Sequence, residues 1–217
     1  MVAISIEVMK PEPNIHYELV NEAGNERVYQ VSLYNEDDSS IENIRDLLIN
    51  FLTLKNEFPT YIYFEAFDDF DEDLKFHGVD FQILKLGQIE NKKKNFSPIF
   101  KVKAQNIEEL RTVVDQTYNF AIATLPYYIT FTSNLNFDLR KWTFPEQVAI
   151  PKFDFTSPTS YIWIGYDGLF FELITNEARY LDSSGFIKEL PRYVEVVEVI
   201  ESYWCYVKKT DTLNREK

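Results

Sequence analysis

One cysteine, two histidines and six glycines in 217 residues remove most catalytic vocabularies before any pattern is sought. With Cys205 alone, neither an intrachain disulfide nor a cysteine-based zinc cage can form, and a reducing compartment is expected. The glycines spell neither G-x-G-x-x-G nor G-x-x-x-x-G-K, so the sequence holds no phosphate-cradling loop. A hydrolase triad would need His16 or His77 beside a nucleophile and an orienting acid. There is no G-x-S-x-G elbow, and Cys205 lies in a run of aromatics rather than at an electropositive helix start.

Positive charge is scarce as well. Lys and Arg number 22 against 35 Asp and Glu, a formal net charge of −13. Neutralising phosphates needs clustered bases, so no nucleic-acid partner is expected. The one basic cluster, Lys92-Lys93-Lys94, reads as a surface loop. Residues 1–13 lack a basic n-region and a long apolar stretch, and the charge-free run 116–137 is interrupted by Pro126. Neither a secretory signal nor a membrane span is expected, and a cytoplasmic location is.

What is present is core material and a lopsided field. Apolar residues make up 45% and aromatics 16%, enough for a packed interior. Residues 1–80 hold 18 acids against 5 bases, whereas residues 81–217 hold 17 of each. The front segment therefore accounts for the whole net charge. Such a field speaks to solubility and the sign of partners, not to fold.

Residues 2–9 alternate as a first strand. Segments 16–20 and 27–34 read as a hairpin across a turn in which Gly24 supplies the left-handed position. Ser39 with Glu42 forms a capping box before Ile41, Ile44, Leu47, Leu48, Phe51 and Leu52, which follow helical spacing. Residues 60–67 and 79–86 read as strands separated by an acidic loop. The polar stretch 87–98 marks a boundary between two lobes, 1–90 and 91–217.

Beyond it, 99–103 reads as a strand. Asn106 with Glu109 then caps a helix whose apolar face is Ile107, Leu110, Val113, Val114, Tyr118 and Ala121. Residues 127–132 resume as strand, 134–159 read as irregular with three prolines, and Asp167-Gly168 predicts a tight hairpin. Polar residues recur about every third position over 191–208, which predicts a helix there. The sum is an α+β fold: mostly antiparallel sheet with two or three packed helices, in two contiguous lobes.

Few residues carry a chemical hint. Asp69, Asp71 and Asp73 have the alternating spacing of opening calcium ligands, with Asp80 at the twelfth position. Leu74 stands where the turn glycine is needed, and the bidentate glutamate is missing, so no metal is expected. Glu65 and Glu172, each in a strand among aromatics, are the pair to inspect for acid–base chemistry. Tyr127, Tyr128, Phe131, Trp142, Phe144, Tyr161, Trp163, Phe170 and Phe171 are expected to fill the core, a few of them lining a ligand cleft or a partner surface.

In general profile the chain is similar to bacterial immunity or inhibitor proteins, which are small, acidic, cytosolic and free of catalytic motifs; no motif ties it to a family. That profile implies a non-enzymatic protein that binds a basic protein partner and carries no cofactor. Glu65, Asp68, Asp69, Asp71, Glu72 and Asp73 would supply the charge. The alternative is an enzyme or small-ligand module with an aromatic-lined cleft between lobes and one or two carboxylates.

Overall fold

The computed structural model of the protein describes residues 1–11, 15–35, 39–66, 70–84, 86, 98–141 and 147–202. Chain order begins with β1 (Val2–Met9), β2 (Glu18–Val20), β3 (Arg27–Leu33), α1 (Ser40–Lys55), β4 (Thr60–Glu65), α2 (Asp71–Phe76) and β5 (Phe81–Leu84). It continues with β6 (Ile99–Ala104), α3 (Ile107–Ile122), β7 (Tyr127–Thr130), β8 (Asn136–Lys141) and β9 (Gln147–Asp154). The last elements are β10 (Ser160–Ile164), β11 (Phe170–Thr175), α4 (Ser183–Lys188) and β12 (Val194–Ser202).

This is an α+β fold with two mixed sheets. The larger has the order β12-β1-β3-β11-β10-β7-β4-β6-β5, and the smaller is β2-β9-β8. Pairings β1–β12 and β2–β9 are parallel, and the others among the described residues are antiparallel. Strand order does not follow residue 90. β4 lies between β7 and β6, and β3 between β1 and β11, so both halves of the chain interleave in one sheet.

Alternation along each strand gives the large sheet two unlike faces. Ile6, Val31, Phe171, Ile62, Phe64, Val102 and Ile129 face α1 and α3, whose buried stripes include Leu47, Leu48, Phe51, Leu110, Val114 and Tyr118. Tyr63, Tyr128, Tyr161, Trp163 and Ile174 face the other way. There they meet Phe153 and Ala149 of β9, together with Tyr17, Leu135 and Phe155.

Both long helices stand where expected, with unequal caps. Asn106 accepts from the Glu109 N–H (3.0 Å), while the Glu109 carboxylate accepts from the Gln105 N–H. Ser39 makes no side-chain cap bond. Its hydroxyl accepts instead from Asn43 Nδ2, so the expected capping box is not formed. Asp167 and Gly168 sit at φ 66° and 69°, the left-handed pair that turns β10 back into β11.

Four further expectations are corrected. β2 and β3 do not form a hairpin: β2 joins β9, while β3 enters the large sheet. Gly24 does adopt a left-handed φ of 84°, but the buried Glu26 carboxylate accepts from the Ala23 and Gly24 N–H groups and steers the chain between sheets. Region 134–159 is not irregular but contains β8 and β9. Pro151 is tolerated because β2 pairs with β9 only from Lys152 onward, leaving no ladder donor missing on that side.

The acidic loop is the third. Residues 71–76 are helical, ended by a Schellman motif in which the Val79 N–H donates to Leu74 O and the Gly78 N–H to Lys75 O, with Gly78 at φ 67°. The fourth is β12, expected as helix. Val196 pairs with Ile4 and Glu198 with Ser5, so Val197 is an extra bulged residue. The bulge puts Val194, Val196 and Val199 on one face and Glu195 and Glu198 on the other. A broken twofold alternation therefore imitates a helical period. Cys205, Lys92–Lys94, Trp142 and Phe144 lie outside the described residues.

Candidate functional site

The expected partner-binding acids fall in two places. Asp71, Glu72 and Asp73 form the first turn of α2, where they complement its dipole. Leu74 anchors that helix in the core, and Phe70 packs edge-on against Phe64, Phe100 and Phe120. Glu65, at the end of β4, lies on the opposite face of the sheet from Phe64 and away from α2. Asp68 and Asp69 lie outside the described residues.

α2 also presents what sequence reading passed over. Phe76 is 85% exposed at its last position. Beside it, an open groove of about 320 Å³ runs between the Schellman turn and the first turns of α3, lined by His77, Asp80, Lys103, Glu108, Glu109 and Thr112. Asp71 pairs with Lys75 at i,i+4. Glu72, Asp73, Asp80 and Glu108 make no ion pair with the described residues. Gly78, following acids five to seven positions earlier, was the signal that could have disclosed this helix and its end.

Other front-segment acids are neutralised from the second half. Glu18 pairs with Arg140, and Glu57 with both Lys55 and Arg179. The Lys55 side chain is fully buried, its amine within 3.3 Å of Glu177 and of the Tyr180 hydroxyl and 4.7 Å above the Phe131 ring. Burial works against ionised Glu177, but the Ser160 hydroxyl, Lys55 and Arg179 together hold it below the usual carboxylate range. This network ties α1 to the segment after β11. It is structural.

A third cluster holds the other candidate carboxylate. Glu172 is 6% exposed and accepts from the Tyr17 hydroxyl at 3.1 Å. Burial pushes its pKa up to about 7, against the pull of that hydrogen bond and with a small push from Glu7. His16 stacks on the neighbouring Trp163 at 4.6 Å and 15°, and burial lowers its pKa. The Tyr128 hydroxyl donates to the His16 carbonyl.

Glu65 and Glu172 share a sheet face, but three strand spacings separate them, about 14 Å across the ladder. Glycosidase carboxylates work at roughly 5 to 9.5 Å, so these two do not form such a pair. Trp163, 5% exposed, closes the space beside Glu172. Buried there, Glu172 can hold a proton near neutral pH.

Among the described residues no three His, Cys, Asp or Glu side chains gather as a metal set, and no helix is long and apolar enough to cross a membrane. Compared with family models, curated proteins and solved structures, the chain gives no match.

Proposed function

We propose that the protein is a non-enzymatic binding module whose α2 region docks a basic protein partner. The carrying observation is the juxtaposition of Phe76, 85% exposed, with an acidic groove of about 320 Å³. Glu72, Asp73, Asp80 and Glu108 would steer a cationic surface, and Phe76 would serve as the buried anchor once docked. Lys75 and Lys103 set the register, since they repel a partner whose charges are misplaced. An inhibitory role, in which the partner is a basic enzyme or toxin, is compatible with this chemistry and with the chain's general profile.

Affinity capture from a lysate at low salt, with wild type and E72K/D73K side by side, tests the reading. Proteins held by wild type should be lost on charge reversal and on truncation of Phe76 to Ala. Their association rate should fall about tenfold or more as salt rises. Retention indifferent to both variants would discard the proposal.

A further inference from the structure

The two ends of the large sheet differ in what they leave unpaired. β5, at one end, offers four residues, whereas β12, at the other, offers nine, a strand about 30 Å long. Among the described residues the outer edge of β12 pairs with no strand. Past the bulge at Val197, residues 198–202 run in regular register with 5–9 of β1, so the outer main-chain groups are presented in ladder order. Val199 and Ile200, on opposite faces, are 38% and 46% exposed.

Charge narrows the occupant. Glu195, Glu198 and Glu7 share one face of this edge, and the Ser5 hydroxyl holds Glu198 there at 2.8 Å. A second copy would set glutamates against glutamates, which opposes pairing. A strand carrying Lys or Arg would meet complementary charge on that face and apolar contact at Val199 and Ile200. We propose that the outer edge of β12 is a strand-addition site for an extended, basic segment of a partner protein. Main-chain hydrogen bonds would give affinity, and Glu195 and Glu198 would select cationic side chains. The inference rests on the basic-partner reading but occupies the edge about 38 Å from β5, so the two surfaces can be tested apart.

The probe is a nonapeptide alternating Lys and Val, titrated calorimetrically at low salt against the full chain. Its companions are the same peptide N-methylated at alternate residues and an analogue with Glu for Lys. Wild type and E72K/D73K should bind the Lys peptide saturably. E195K/E198K should bind it about tenfold more weakly or worse, and should gain the Glu analogue. N-methylation should cost wild type about tenfold as well, because it removes ladder donors.

Equal binding of the methylated peptide would reduce the contact to charge attraction and overturn the proposal. So would unchanged affinity in E195K/E198K, absence of saturable binding, or loss in E72K/D73K alone. Should E195K/E198K fail to fold, the methylation comparison on wild type decides by itself.

Discussion

Two adjacent rows of residues cross the large sheet, offset by one position and facing opposite ways. The helix-side row reads Val8, Tyr29, Leu173, Ile162, Ile129, Ile62, Val102, Phe81. Its neighbour reads Glu7, Gln30, Glu172, Trp163, Tyr128, Tyr63, Lys101, Gln82. The first layer is held mostly by apolar contact, with the Tyr29 hydroxyl donating to the Tyr180 carbonyl and the Tyr118 hydroxyl to that of Gly168. The second is fastened by hydroxyls that reach specific carbonyls: Tyr63 to Ser133, Tyr128 to His16 and Tyr161 to Asp154. The comparison teaches that the helix side carries most of the apolar bulk, while the other face ties the smaller layer on through hydroxyl-to-carbonyl bonds and holds the raised carboxyl of Glu172.

The largest break in that contrast is expected on the helix side. Phe64 stacks with Phe100, Phe120 and Tyr127, so Phe64→Ala should cost about 3–5 kcal/mol. Urea unfolding would show it as a lowered midpoint at unchanged slope. A loss below about 1 kcal/mol would show that the ring cluster does not carry the core.

On the opposite face the next effect is pH-dependent. Folded Glu172 keeps its proton to about pH 7, whereas the unfolded carboxyl releases it near its ordinary 4.5. In that window the folded state binds more protons, so stability falls as pH rises from about 4.5 to about 7 and levels off beyond. The span is about 3 kcal/mol. Glu172→Gln, a neutral isostere that still accepts from Tyr17, should flatten this slope and make the variant the more stable form at pH 8. Thermal melts across that range check it; parallel slopes in both proteins would refute the assignment.

The smallest effect sharpens the idea of directional fastening. Tyr128→Phe keeps the ring and removes the bond to the His16 carbonyl, at a cost of about 1 kcal/mol. Hydrogen exchange should quicken around residues 15–20 while the helix-side strands keep their protection. Uniform quickening across the sheet would show that the two faces are not separable in this way.

Much of the helix-side face was legible beforehand. The stripes of α1 and α3 and strands β4, β6 and β7 carried periodicities that end within three residues of the observed elements, and Asp167-Gly168 marked the turn between β10 and β11. The second layer was hidden by its chemistry, since prolines at 145, 151 and 158 masked β8 and β9. The candidate site was half legible. Its charge was plain in Asp71, Glu72 and Asp73, but the exposure of Phe76 depends on how Leu74 rolls α2 into the core.

Local chemistry determined α1, α3, the left-handed turns at Gly24 and Asp167-Gly168, and the sign of the surface charge, because those effects act over a few residues. Which strands became neighbours was decided only in three dimensions. β12 beside β1, β2 in the smaller sheet, and Glu18 and Glu57 quenched by Arg140 and Arg179 all join residues more than 100 positions apart. Such pairings depend on which apolar faces meet and where a bulge resets the alternation, and no short stretch of chain encodes either.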